Sequence, residues 1–304
     1  MTIKPHHITR TLYLAPALLA VASLLFGTHV AHAAIIVGNT GTSGNLDSVD
    51  AGNESGSFSF DNNGEFLVVT MAGASNANSV PTVTAATISV TFNGVTLTLA
   101  GFQQRSNDQL AGVWFLANPD VGAFSLNFNF NQNAFTGDAT TGDWQFGAIS
   151  LSNVNESDPI AGLLTTISGT ADQTITPQTP GEINSGDFLA VGIGTTGNHT
   201  ANHYQTVSTL QTDFYSEDPA SPYSSIYQVL TAADIDGLGN VLLDEVGNTI
   251  GTSQATVGVV FNVVPEPASL ALLAAGLLCI GVRRSRDRVP PIDSNRTGAP
   301  KLLF

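Results

Sequence analysis

The chain has 304 residues, with 24 acidic side chains against 9 Lys and Arg, and its formal net charge of −15 excludes nucleic acid as a partner because such a surface repels phosphate. The charge is uneven: from Ala34 to Val264 there are 21 acidic residues and one basic residue, Arg105, so 21 − 1 leaves this stretch near −20. The single cysteine, Cys279, lies outside that stretch and excludes an intramolecular disulfide, so the region must fold by packing and hydrogen bonding, with cations drawn to its surface.

At the N-terminus Lys4 and Arg10 precede an apolar run from Leu12 to Phe26, and Ala31-His32-Ala33 offers a small-x-small cleavage site before Ala34. This order predicts a secretory signal peptide over residues 1–33. The region 34–264 is then the size of one large all-β domain, long enough to bury a substantial core unaided.

Within it, Ile35 to Val37 reads as a first edge strand. Ser57 to Phe60 and Glu65 to Thr70 flank Asp61-Asn62-Asn63-Gly64, a hairpin signal, and Met71 to Pro81 reads as a loop. Ile88, Val90 and Phe92 alternate with polar residues, Asn93-Gly94 turns the chain, and Val95, Leu97 and Leu99 alternate on the return. Asn-Gly suits a type I′ turn because both residues accept positive φ. Leu110 to Leu116 and Phe124 to Phe130 follow as strands, separated by Asn118-Pro119-Asp120. Further short runs come at Trp144 to Leu151, Asp187 to Gly194, Tyr204 to Leu210, Ser225 to Leu230 and Ala255 to Val264. Many short strands without a helical stripe predict an all-β fold, a jelly-roll-like sandwich of two antiparallel sheets.

Three constellations invite a chemical reading. Asp234-Ile235-Asp236-Gly237-Leu238-Gly239-Asn240-Val241-Leu242-Leu243-Asp244-Glu245 resembles a twelve-residue calcium loop of the EF-hand and dockerin type. The resemblance implies ligands at Asp234, Asp236, Asn240 and Glu245, but Leu238 and Leu242 stand where oxygens are wanted. An acidic turn from Asp236 to Asn240 leading into the strand Val241 to Leu243 is the simpler reading. His199 and His203 are four apart among Gly, Asn and Thr without a helical pattern, which favours loop histidines over a zinc site. Acid pairs such as Asp143 and Glu156 would serve glycoside hydrolysis only if the fold brought them within about 5 to 9.5 Å. Trp114 and Trp144, with Tyr204, Tyr215, Tyr223 and Tyr227, are the side chains that would stack on sugars if exposed, although alternating strands more often bury them.

The final strand leads straight into Pro265-Glu266-Pro267-Ala268-Ser269, then an apolar run from Leu270 to Val282 and the basic group Arg283, Arg284, Arg286 and Arg288. The two prolines fix φ and remove two donors, so Glu266 is presented on an extended segment. A helix can start only at Pro267 or later, and the roughly 15 almost wholly apolar residues from there predict a short membrane helix, about 22 Å long at helical rise, with the arginines and the tail 289–304 on the cytoplasmic side and the preceding domain outside the inner membrane. These residues, in this order, closely resemble the PEP-CTERM sorting signal of Gram-negative bacteria that make exopolysaccharide and biofilm. That resemblance implies recognition of Pro265, Glu266 and Pro267 by a membrane-embedded exosortase, with cutting near the motif and release to the cell surface or matrix. The family usually stops soon after the arginines, whereas here Val289 to Phe304 follow.

A second resemblance covers about Ala85 to Val264. Asn93-Gly94-Val95, Trp114-Phe115-Leu116-Ala117-Asn118-Pro119, Gly122, then Ile149-Ser150-Leu151-Ser152-Asn153-Val154 and Pro159 are similar to a β-sandwich module of exported bacterial proteins that supplies a fold and no catalytic residues. The sequence therefore points to an exported, non-enzymatic surface or matrix protein with a structural or adhesive role. A polysaccharide-binding module is the alternative and a glycan-active hydrolase the third reading; no cofactor is expected apart from the calcium of the acidic loop.

Overall fold

The computed structural model describes residues 33–43, 46–47, 55–75, 88–105, 109–130, 142–168, 173–179, 182–195, 204–205, 212–216, 223–245 and 254–264. Among these residues the fold is all-β, with eighteen strands in four antiparallel sheets and no helix. The six-stranded sheet runs β1 (Ile36–Thr42), β10 (Gly142–Ser152), β4 (Phe66–Ser75), β8 (Gln109–Ala117) and β7 (Thr98–Arg105), with β2 (Leu46–Asp47) beside β10. The four-stranded sheet runs β3 (Ser55–Asn62), β9 (Gly122–Phe130), β5 (Ile88–Phe92) and β6 (Val95–Thr96). The five-stranded sheet runs β11 (Ile160–Ser168), β18 (Gln254–Phe261), β13 (Phe188–Thr195), β16 (Tyr223–Val229) and β15 (Thr212–Ser216). A small sheet of β12 (Gln173–Ile175), β17 (Val241–Glu245) and β14 (Tyr204–Gln205) completes the set.

The all-β expectation holds, but the sheets number four where a two-sheet sandwich was expected, and the reason lies in strands buried on both faces. Along β4, Leu67, Val69 and Met71 pack toward the four-stranded sheet, against Phe60, Val90, Phe92, Leu126 and Phe128. Its alternate residues Phe66, Val68 and Ala72 pack toward the five-stranded sheet, against Phe188, Ala190, Val257, Val259 and Phe261. The far face of that sheet, with Leu189, Val191, Ile193 and Val260, meets Ile175, Val241 and Leu243 of the small sheet. Three cores therefore separate four layers. A strand covered on both faces reads as a continuous apolar run, without the period-two pattern of a strand that has one wet face.

Three local expectations change for the same reason. The segments around Asp61-Asn62-Asn63-Gly64 do not form a hairpin: β3 pairs with β9, while β4 pairs with β10 and β8 in another sheet. Buried Asn62 makes the corner, its Nδ2 donating to the carbonyls of Gly64 and Asp120 at 3.0 Å each. The loop expected over Met71 to Pro81 begins late, because β4 continues to Ser75; the rest lies outside the described residues. The Asn93-Gly94 turn is present, with φ of 47° and 77° and Phe92 opposite Val95, yet its return strand divides. β6 stays beside β5, Leu97 is buried, and β7 crosses to pair with β8.

The core between the four- and six-stranded sheets is largely aromatic. Phe128 meets Trp114 edge-on at 5.2 Å and Phe146 at 4.1 Å, and Trp144 stacks on Phe146 at 5.3 Å. Such pairs add about 0.5–1.5 kcal/mol each beyond the area they bury. On the other side the sheets approach closely at Gly194, where a Cβ would lie 2.3 Å from the Leu110 carbonyl and 2.6 Å from that of Gly73. The Gly192-Ile193-Gly194 stretch is thus a sheet contact, with Ile193 facing the third core.

Candidate functional site

Both ends of the folded region meet at one end of the sheets. Two turns make the meeting point. In the first, β10 ends at Ser152 and Asn153 takes the left-handed conformation, φ 67°, which asparagine tolerates better than most residues. Asn153 Nδ2 donates to the Ala34 carbonyl at 3.2 Å, while the Asn153 carbonyl accepts the Val264 amide at 2.8 Å. One residue therefore holds the position after the expected signal cut and the position before Pro265.

The second turn is Asn184-Ser185-Gly186-Asp187, leading into β13. Gly186 has φ of 98°, and a Cβ there would lie 3.1 Å from the Ala34 Cα. Its carbonyl accepts the Ile35 amide at 2.9 Å and its amide donates to Leu230. Asp187 is buried, with Oδ1 accepting the Val263 amide at 2.9 Å and Oδ2 accepting the Asn184 amide at 2.6 Å. Burial pushes its carboxyl up to about 6, against the two amide hydrogen bonds that favour the charged form. Val263 also bridges to Val154, and Asn262 is bonded to Pro159, Asn155 and Asp158. The last residues of the domain are thus bonded up to Val264, directly before Pro265.

The acidic loop closes on itself. Asp236 Oδ1 accepts the Leu238 and Asn240 amides at 2.8 Å each, Oδ2 accepts Asn240 Nδ2 at 2.9 Å, and these bonds hold its carboxyl below the usual range. Asp234 is buried and takes the amide and hydroxyl of Thr231 at 2.7 and 2.6 Å. β17 starts at Val241, so Glu245 stands four residues along a strand, about 13 Å on. The turn from Asp236 to Asn240 leading into a strand is what forms, with Asp236 bonded to Asn240, Asp234 bonded to Thr231, and the Glu245 side chain outside the described residues. Among the described residues no group of three or more His, Cys, Asp or Glu is placed to hold a metal ion.

Of the sugar-stacking candidates, the side chains of Tyr204, Tyr215 and Tyr223 lie outside the described residues. Trp114 and Trp144 are 2% and 1% exposed and belong to the aromatic core, and half-buried Tyr227 stacks on Phe188 at 5.8 Å. Asp143 stands near the start of β10 and Glu156 beyond its end, in a turn where it accepts from Asn118 Nδ2. From Asp143 to the end of the strand at Ser152 is about 30 Å, which puts Glu156 too far away for a shared catalytic task. His199 and His203, Ala31, the motif residues Pro265, Glu266 and Pro267, the run from Leu270 to Val282, and Arg283, Arg284, Arg286 and Arg288 lie outside the described residues. Among those described, no helix is long and apolar enough to cross a membrane.

Sequence reasoning missed Asn153, Asn184 and Asp187 as a site. The available signals were the Asn153-Val154-Asn155 run between two strands and Ser185-Gly186-Asp187 before an apolar one. Both read as ordinary turns until Ala34, Ile35, Val263 and Val264 are seen to bind them.

Comparison with known families finds the PEP-CTERM protein-sorting motif over residues 263–286. No curated protein matches the chain. The motif begins on the bonded residues Val263 and Val264 and continues through Pro265, Glu266 and Pro267 to Arg286. It marks an exported protein bearing a membrane-anchored sorting signal of the kind an exosortase recognises.

Proposed function

With a sorting signal attached directly to the last bonded residue of a β-domain, we propose that this protein is exported, cleaved of residues 1–33, held briefly by Leu270 to Val282, and released by an exosortase-type enzyme to the cell surface or matrix. There the stacked sheets serve a structural or adhesive role associated with exopolysaccharide or biofilm. The observation that carries the sorting reading is the motif match at 263–286, beginning where Asp187 and Asn153 hold the chain. A structural role is supported by the burial of both tryptophans, which leaves neither as a sugar platform, and by three stacked cores in a chain without disulfides.

A plain anchor requires apolar length and flanking basic charge, and would be indifferent to an extended Pro-Glu-Pro segment. Replacing Pro265, Glu266 and Pro267 together with alanine keeps the anchor features and removes the recognition element. In an exosortase-containing host the wild type should lose its C-terminal segment and reach the surface or medium, while the triple variant stays in the inner membrane at higher mass. Equal mass and location for the two would leave only an anchor.

A further inference from the structure

We infer that Asp187 and Asn153 set the upstream limit of C-terminal processing: every peptide bond up to Val263–Val264 is closed to the sorting protease, and the mature protein keeps every residue through Val264. The identity of the protease rests on the sorting reading above; the position of the limit rests on the fold.

A protease takes its substrate as an extended strand, with residues on both sides of the scissile bond free to pair with the enzyme. The residues before Pro265 are already paired within the domain. Val263 is 3% exposed, donates its amide to Asp187 Oδ1 and bridges to Val154. Asn262 donates its amide to Pro159 and accepts that of Asn155, and its side chain donates to Asp158. Val264 is 41% exposed, but its amide is given to the Asn153 carbonyl. Bonds up to Val263–Val264 are therefore closed unless the chain end peels away from β13 and β10. Beyond Val264 the next residue is a proline, which has no amide to give to any such clamp. Hydrolysis breaks one C–N bond, water adding its hydroxyl to the carbonyl carbon and its proton to the leaving amine; the clamp decides which carbonyl carbon is reachable.

Asp187 and Asn153 act here as positioning residues, touching the substrate segment and not the reacting atoms. Their conservative variants separate position from folding. Asp187→Asn keeps the shape and one acceptor oxygen, Asp187→Ala removes both, and Asn153→Gly keeps the left-handed turn while removing the side-chain bond to Ala34.

The test uses the full chain in two hosts. In an exosortase-containing host, C-terminal peptide mass spectrometry of the released wild type should give ends at Val264 or later. Asp187→Ala should add ends at Asn262 and Val263 that the wild type lacks, with fewer of them in Asp187→Asn. In a host without the enzyme, full-length protein in membranes is treated with elastase and its amide exchange followed. The wild type should show slow exchange at Val263 and Val264 and no elastase end before Val264; Asp187→Ala should exchange about tenfold faster at Val263, the factor expected for losing about 1.4 kcal/mol of local protection. A wild-type end upstream of Val264 in either host overturns the inference. So does the absence of any end before Val264 in Asp187→Ala once exchange at Val263 has accelerated. Failure of the wild type to be cut in the first host would remove the sorting reading, and the elastase arm would still decide the clamp.

Discussion

At the end of the sheets that holds Ala34 and Val264, side-chain amides and carboxylates close the turns: Asn62, Asn153, Asp187, Asp234 and Asp236 each bond backbone groups of their own or a neighbouring turn. At the opposite end, where β7 stops at Arg105 and β8 starts at Gln109, polar atoms are left over. Arg105 Nη1, Gln109 Oε1 and Nε2, and Thr256 Oγ1 are buried and have no hydrogen-bond partner among the described residues. That end is held by contact instead, through Trp144 stacked on Phe146 and the close passage of Gly194 over Gly73 and Leu110. Hydrogen bonds fix direction and register, whereas apolar contact supplies bulk stability with little directionality. The end that holds both Ala34 and Val264 uses the first means. The other end uses the second.

The largest effect should come from the packed end. Trp144→Ala removes the largest fully buried side chain and should cost about 4 kcal/mol, read as a lower urea midpoint with unchanged slope. A loss below about 1 kcal/mol would mean that this end is not held by its aromatic contacts.

At the tied end the signature is pH dependence. Asp187 has a folded value of about 6, above the ordinary 3.8, so the folded state binds its proton more tightly. Its contribution is fully present below about pH 4 and is lost as pH rises through 6. The stability of wild type relative to Asp187→Asn, which cannot titrate there, should therefore fall by up to about 3 kcal/mol between pH 4 and 7. A pH-independent difference would place the buried proton elsewhere.

Gly194→Val tests the close approach of the sheets. The new side chain meets backbone oxygens that cannot swing away, so a loss of about 2 kcal/mol is expected, with broadened signals from β8 and β13. Smallest, and opposite in sign, is Gln109→Met. Replacing two buried unpaired atoms with an apolar chain of similar length should stabilise by about 1 kcal/mol. A loss instead would show that Gln109 is partnered from outside the described residues.

The sorting motif was legible because its parts are contiguous: two prolines, one glutamate, an apolar run and four arginines within about 24 residues, independent of the rest of the chain. The Asn93-Gly94 turn was legible for a related reason, since its positive φ values are local preferences of those two residues. Period-two alternation likewise marked β5 and β9, whose polar residues have solvent on one side. The clamp was not legible, because its partners are far apart in sequence: Asn153 reaches Ala34 across 119 positions and Asp187 reaches Val263 across 76.

Nor was the number of sheets. Residues 57–60 and 65–70 carry the local marks of a hairpin, but β4 lies between β10 and β8 with Phe66 and Val68 in one core with Phe261 and Val257, while β3 pairs with β9 in another sheet. Local patterns specify strands, turns and addresses because backbone preferences act over a few residues. Which strands share a sheet, and which turns receive Ala34 and Val264, is decided only when apolar faces on both sides of a strand find cover, since burial depends on the whole set of neighbours present.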